Sequence, residues 1–274
     1  MMASEGRGYW DASIGMTPAA QKLHSGASLS KPYEDSPLDL TLFVATSNDA
    51  EYITHTLGTI ADAIEALELS CEVVVIDDAS TDATVEHVRA FMLEHPSLSM
   101  VLRCNATPKG LAQNYYDAAF IGKGKYFRML YGDTAETMET LVDVLRAVGD
   151  ADILIPYYID SLHKETSGQG AVRLYANVLN FFSAHPLKDY SLPAVHLRYN
   201  VMRWHGNITG PGFQVDLLCR MLDMGFTYKQ MPSRSIEQHP TRLSRSTIGY
   251  NFLSLGHTVL RILFRRMMTP QTEQ

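Results

Sequence analysis

Between about residues 39 and 156 the chain repeats one pattern: a short apolar run, a polar and acidic turn, then a stretch with helical periodicity. Leu40-Thr41-Leu42-Phe43-Val44-Ala45 is apolar and partly β-branched, and it runs into Thr46-Ser47-Asn48-Asp49. That composition predicts a buried strand ending in a loop. Ile53, Leu57, Ile60, Ile64 and Leu67 then recur at spacings of four and three, one apolar stripe along a helix, with Asn48 and Asp49 as its expected cap. Glu72-Val73-Val74-Val75-Ile76 is a second buried strand, ending at Asp77-Asp78. The same reading gives helix 83–95, strand 99–103, helix 111–121, strand 125–131, helix 135–148 and strand 152–156. Near-continuous apolar strands alternating with helices imply an α/β fold: a mostly parallel sheet, helices on both faces, right-handed crossovers. Ligands of such sheets bind beyond the carboxyl ends of the strands.

Outside that region the pattern changes. Residues 1–37, rich in Gly, Ser, Ala and Pro, read as a mobile N-terminal arm, and 38–156 as the ligand-binding half. Residues 157–246 read as a helix-rich second half of the same domain, with a short strand at Thr227–Met231 returning to the sheet edge. Residues 247–274 read as a basic amphipathic helix and tail. From Thr241 to Met268 there are five Arg and no acid, interleaved with Phe252, Leu255, Val259, Ile262 and Leu263. Two arrangements stay open for this helix: apposition to an anionic membrane surface, or a core-packed helix with its arginines outside.

Hydrophobic residues at 46% and charged ones at 19% exclude a disordered chain, a collagen or a coiled coil. A net charge of −7 argues against a general nucleic-acid binder, which needs a basic surface to displace counterions. Cys71, Cys104 and Cys219 have neither disulfide nor zinc spacing, so buried structural roles in a reducing cytoplasm are expected. No apolar leader and no window of ~18 apolar residues is seen, so a cytoplasmic protein, peripheral at most to a membrane, is expected.

The chemistry-bearing residues cluster at strand ends: Asn48 and Asp49, Asp77 and Asp78, Asn105 to Gly110, and Asp133. Any one acid there is accounted for equally well by capping the next helix, as Asp82 with Thr84 would do. Four such sites converge on one edge. Glu72-Val-Val-Val-Ile-Asp-Asp-Ala-Ser-Thr-Asp-Ala-Thr84 resembles the nucleotide-binding strand and loop of family 2 glycosyltransferases. Leu42 to Glu51, Asn105 to Asn114 and Lys125 to Asp133 resemble further motifs of that family, in order, over about 39–156. The resemblance implies the Rossmann-like GT-A fold and a nucleotide diphosphate sugar donor linked to UDP, GDP or dTDP. It implies Asn48, Asp49, Asp77, Asp78, Lys109 and Asp133 as donor-binding residues. Asp133, in the place of the last acid of the family's Asp-x-Asp, is the expected catalytic metal ligand for Mg²⁺ or Mn²⁺, hard cations that take oxygen ligands. Tyr131 replaces the first acid of that motif.

The second half narrows the resemblance. Gly212-Phe213-Gln214-Val215-Asp216-Leu217-Leu218 places Gln214 where many inverting members carry a general base, and Gln cannot accept a proton. The segment is similar to that of polyprenol-phosphate (dolichol-phosphate type) mannosyl and glucosyl transferases, whose phosphate acceptor is already ionised. Gly225 to Pro232 and Leu187-Lys-Asp189-Tyr-Ser191 resemble further segments of that group. Acceptor binding is then expected from Arg173, Asp189, Gln214 and Arg242, with Arg234 and Arg245 as further candidates, and His239 is a candidate to approach the metal or diphosphate. The expected function is metal-assisted, inverting sugar transfer to a polyprenyl-phosphate-type lipid at an anionic membrane surface. The alternatives are transfer to a soluble small molecule or glycan, and a catalytically silent nucleotide-sugar-binding protein.

Overall fold

A computed structural model describes residues 36–67, 69–133, 136–158, 168–190, 192–204, 212–233 and 245–268. The expected mobile arm lies outside the described residues. Among the described residues there are seven strands: β1 (Leu38–Thr46), β2 (Cys71–Asp77), β3 (Met100–Cys104), β4 (Gly124–Tyr131), β5 (Ile153–Tyr158), β6 (Val195–Leu197) and β7 (Tyr228–Ser233). The helices are α1 (Ile53–Glu65), α2 (Thr84–Glu94), α3 (Leu111–Ile121), α4 (Met138–Arg146), α5 (Gly168–Ser183), α6 (Arg198–Arg203), α7 (Gly212–Asp223) and α8 (Arg245–Met268).

The strands form one sheet in the order β3-β2-β1-β4-β6-β5-β7. All pairings are parallel except the two made by β6, which runs antiparallel to β4 and β5. The chain winds outward from β1 through β2 to β3 and then returns to β1's other side as β4. The strand order therefore reverses between β1 and β4, which opens a crevice at their carboxyl ends. β7 sits at the sheet edge, as its sequence predicts. β6, with only three residues, is too short to leave a periodic signal.

Alternation along each strand divides the core in two. Phe43, Val74, Ile76, Phe127 and Met129 face α3, α5 and α7, where Tyr115, Leu179 and Phe213 are fully buried. Leu42, Val44, Val73, Val75 and Leu130 face α1, α2 and α4, with Leu57, Val88 and Leu145 against them. Each such side chain contributes about 1.5–3 kcal/mol by leaving water, so two filled layers fix the register of every strand. Arg128 interrupts the second layer. It is fully buried and paired with Glu136 at 2.6 Å.

Three local expectations are corrected. Asn48 and Asp49 do not cap α1 with their side chains: Tyr52 precedes the helix, with no side-chain cap, and the Asp49 carbonyl accepts the Tyr52 and Ile53 amides. Both side chains are drawn instead toward neighbouring loop groups, described below. Cys104 is exposed, because β3 is an edge strand, whereas Cys219 is buried and Cys71 half-buried. The C-terminal helix is core-packed through Thr258 and Ile262, but Arg265 is turned inward and Arg261 is only partly exposed. Arg265 donates to Asp216 at 2.8 Å and to Asp223 at 3.0 Å, and Arg261 lies 3.5 Å from Asp216.

Candidate active site

The carboxyl ends of β1, β2 and β4 carry a cross-linked set of loops. Thr46 Oγ1 donates to Asp49 Oδ2 at 2.8 Å, and the Ser47 amide donates to the same oxygen at 3.0 Å. Asn48 takes a left-handed backbone, φ 59°. This turns its side-chain oxygen onto the β2–α2 loop, where it accepts the Thr81 amide at 2.8 Å. The Asn48 amide in turn donates to Ser80 Oγ, and the Asp49 amide to Thr84 Oγ1. Asp82 ties the loops from the other side, accepting the Ala50 amide at 3.2 Å and the Thr84 amide at 3.0 Å.

The adjacent acids after β2 differ. Asp77 is buried, and its carboxylate accepts both the Ser80 amide and the Ser80 hydroxyl. Asp78 turns toward the loop before α3. Its oxygens accept the Lys109 amide at 2.8 Å, Asn105 Nδ2 at 2.9 Å and the Gly110 amide at 2.9 Å. Asn105 Nδ2 also donates to Asn114 on α3 at 2.8 Å. Burial would raise the Asp78 carboxyl, but the hydrogen bonds from Asn114, the Lys109 amide, Asn105 and the Gly110 amide outweigh it and hold it below the ordinary carboxylate range. Gly110, at φ 85°, supplies the left-handed turn that aims its own amide at Asp78. Ala79, between Asp78 and Ser80, adopts φ 62°, a conformation that costs a residue with a Cβ about 1–2 kcal/mol.

Lys109 is partly exposed. Its ammonium lies 3.3 Å from Asp117, a carboxylate that also takes Arg103 at 3.0 Å.

At the end of β4 the chain passes very close to β1. The Gly132 amide donates to the Ala45 carbonyl at 2.8 Å, and its carbonyl accepts Thr56 Oγ1 at 2.7 Å. A Cβ on Gly132 would collide with Asp49 Oδ2 and lie 2.8 Å from Thr46 Oγ1. This contact presents Asp133 to solvent beside Asp49. The Asp49 carboxyl is raised, chiefly by burial; the Ser47 amide and Thr46 hydroxyl oppose that, and the nearby charges of Asp133 and Asp82 add to it. Two mutually repelling carboxylates at a strand edge fit a divalent cation, since hard oxygen donors suit it and its charge relieves the repulsion. Among the described residues no group of three or more His, Cys, Asp or Glu is placed to hold a metal, so remaining ligands would come from elsewhere.

Tyr131, the last residue of β4, is half-buried. Burial raises its hydroxyl's pKa first and the Asp133 charge adds to it, while a hydrogen bond with the Gln214 side chain opposes both. Gln214 lies in the first turn of α7. The two positions at which the sequence leaves its family pattern are thus neighbours. Neither offers a titrating carboxylate there.

The remaining expected residues are less well grouped. Asp189 is buried and accepts the Tyr190 amide at 2.7 Å. Arg173 lies on α5 with its side chain outside the described part, and Arg242, Arg234 and His239 lie outside the described residues. Arg245 opens α8, its side chain likewise undescribed. Sequence reasoning missed Gly132 as a packing requirement, Thr46 and Thr84 as loop ties, and Asn114 as the partner of Asn105. Only Asn114 was signalled, through the motif that contains it.

A mostly parallel sheet whose strand order reverses between β1 and β4, with loop acids along its carboxyl edge, matches the architecture of GT-A glycosyltransferases. The glycosyl transferase family 2 model matches residues 41–191, and the chain belongs to that family. Similar solved structures include a mannosyltransferase from Pyrobaculum calidifontis in complex with GDP-Man and Mn²⁺, at 20% identity and TM-score 0.61, covering 89% of this chain and 72% of that one. Another is glucosyl-3-phosphoglycerate synthase from Mycobacterium tuberculosis in complex with UDP, at 15% identity and TM-score 0.62, covering 83% and 80%. A third is TarS residues 1–349 from S. aureus in complex with UDP-GlcNAc, at 16% identity and TM-score 0.53, covering 82% and 70%. A search of curated proteins by sequence found no match.

Proposed function

We propose that this glycosyltransferase moves a sugar from a nucleotide diphosphate sugar to a phosphate-bearing lipid acceptor of the polyprenyl-phosphate type, with inversion at the anomeric carbon. The observation that carries the reading is that Gln214, in the first turn of α7, stands where the family resemblance expects a general base. A hydroxyl acceptor must lose a proton as it attacks, and a positioned base normally takes it. A neutral amide cannot take that proton, and the neighbouring Tyr131 phenol has its pKa raised, chiefly by burial. A phosphate acceptor has no such need, because its second pKa is near ~6 and it arrives as an anion.

In this mechanism a phosphate oxygen of the acceptor attacks the anomeric carbon, the bond from that carbon to the diphosphate breaks, and the nucleoside diphosphate leaves with the electron pair. No proton changes hands. Asp133, with Asp49 beside it, would hold a divalent cation, which when bound would supply charge neutralisation for the departing diphosphate. The structure of the Pyrobaculum protein in complex with GDP-Man and Mn²⁺ supports this. Asn48, Asp77, Asp78 and Lys109 shape the donor pocket. Asp78 does so by fixing the Lys109–Gly110 turn, and Asp77 by fixing the Ser80 turn. Arg173 and Arg242 are the cations assigned to the acceptor phosphate, with Asp189 and Gln214 completing that side.

The test is a transfer assay with each sugar nucleotide against polyprenyl phosphate and against the corresponding polyprenol. Turnover on the phosphate alone is expected, with Gln214→Ala retaining a pH profile of the same shape above about pH 6, since no protein base titrates there. Turnover on the alcohol, or on a soluble glycan, equal to that on the phosphate would overturn the choice of acceptor.

A further inference from the structure

The C-terminal helix has an arrangement opposite to that of an ordinary surface helix. Thr258 and Ile262 are buried against the body, and Arg265 turns inward to Asp216 and Asp223. Leu260, Phe264 and Met267, spaced as one helical stripe, are 66%, 60% and 76% exposed. α8 lies against α7 and α5. On α5, Leu174 and Phe181 are also exposed, at 63% and 79%, and share a face one double turn apart. Exposed large apolar side chains are ordinary when scattered, but a contiguous set marks an interaction surface.

The charges around this surface favour one kind of partner. Leu260, Phe264 and Met267 line an open groove of about 640 Å³ together with Arg220, Arg261 and Arg265, and among the described residues no carboxylate lines it. Beneath it Asp216 takes both Arg261 and Arg265. Asp223, which takes Arg265, is also held by His185 at 2.9 Å. Burial disfavours the Arg220 cation; Asp216 opposes this, and Arg265 and Arg261 add to the penalty. Three guanidinium groups thus crowd two inward-facing carboxylates at the floor of an apolar groove. A two-fold dimer through this face would bring two such cation clusters into one interface. A bilayer with anionic headgroups supplies what the surface lacks: hydrocarbon for the stripe and negative charge for the arginines.

We propose that the exposed stripe of α8, with Arg220 and Arg261 beside it, docks this protein on an anionic lipid bilayer. Arg220 shares α7 with Gln214 and lies about 9 Å further along the helix at ~1.5 Å rise per residue. The docked face is therefore one short helix from the acceptor side of the candidate active site. Vesicle binding is read without donor or acceptor, so failure here leaves the proposed transfer reaction standing.

The experiment is flotation of the full chain with vesicles of phosphatidylcholine, alone or mixed with phosphatidylglycerol. Binding is expected only to the mixed vesicles, falling as salt is raised. Leu260→Ser with Phe264→Ser removes exposed side chains only, so an unchanged melting curve and at least a tenfold loss of partitioning are expected. Arg220→Gln with Arg261→Gln lowers the preference for phosphatidylglycerol about tenfold. Three results would overturn the proposal: no binding to mixed vesicles, equal binding to both vesicle types, or light scattering that shows a dimer turned into a monomer by the serine pair.

Discussion

The two halves of this molecule solve different problems. At the carboxyl ends of β1, β2 and β4, loop amides and side chains are bonded to one another, among them Thr46 with Asp49, Asn48 with Thr81, and Asp78 with Gly110. Around α5, α7 and α8 the contacts are apolar packing and ion pairs between helices, with large apolar side chains left in solvent. The proposed donor site needs fixed backbone geometry, and hydrogen-bonded loops provide it. The proposed acceptor side is built from packed helices that leave faces exposed. Tyr131 and Gln214 sit where the halves meet, and the departure from family pattern lies there.

That contrast is broken most directly at Asp133. Asp133→Ala removes the exposed acid of the β4 end without touching these loop bonds, so transfer should fall by about 10³-fold or more with an unchanged melting temperature. Retained turnover would remove this carboxylate from the chemistry. The next effect is on stability. Asp78→Asn leaves the Lys109 and Gly110 amides facing a group that is partly a donor, and should cost about 1–3 kcal/mol by urea unfolding. Because the folded Asp78 carboxyl ionises below its unfolded value, its contribution is present above about pH 4 and is lost as pH falls through the folded value. The wild-type chain should therefore lose stability on acidification through that window more steeply than Asp78→Asn. Equal slopes would mean that the loop bonds do not depend on this charge.

Gly132→Ala tests the close approach of β4 to β1. Displacing Asp49 and Thr46 should cost about 1–3 kcal/mol and weaken nucleotide binding in the same variant. A stable variant with normal affinity would show that the loops can yield. The smallest expected change has the opposite sign. Ala79→Gly relieves a left-handed alanine and should stabilise the fold by up to about 1 kcal/mol, partly offset by the freer unfolded chain. A loss of stability would mean that Ala79 makes a contact worth more than its strain.

The first half was legible because each strand is a near-continuous apolar run that stops at an acid, and each helix has one stripe. β2 was expected at 72–76 and spans Cys71–Asp77. The convergence of Asp77, Asp78, Asn105 and Asp133 on one edge followed from strand direction alone. What the loop acids do there did not follow, since Asn48 and Asp49 cap nothing with their side chains and reach groups set by tertiary contact. β6 was hidden because three residues held between two longer strands need no period of their own. Arg128 reads as an ordinary strand residue, yet it is buried because Glu136 arrives from the segment before α4. The inward turn of Arg265 depends on Asp216 and Asp223, which lie on another helix.

The central claim is that the hydrogen-bonded loops and Asp133 form a metal-dependent nucleotide-sugar site. Isothermal titration of UDP-, GDP- and dTDP-sugars into the full chain, with and without Mn²⁺ or Mg²⁺, tests it. The account predicts saturable binding of one nucleotide class that requires the cation and is lost in Asp133→Ala. Binding of the same strength without the cation, or no binding of any sugar nucleotide, would contradict it.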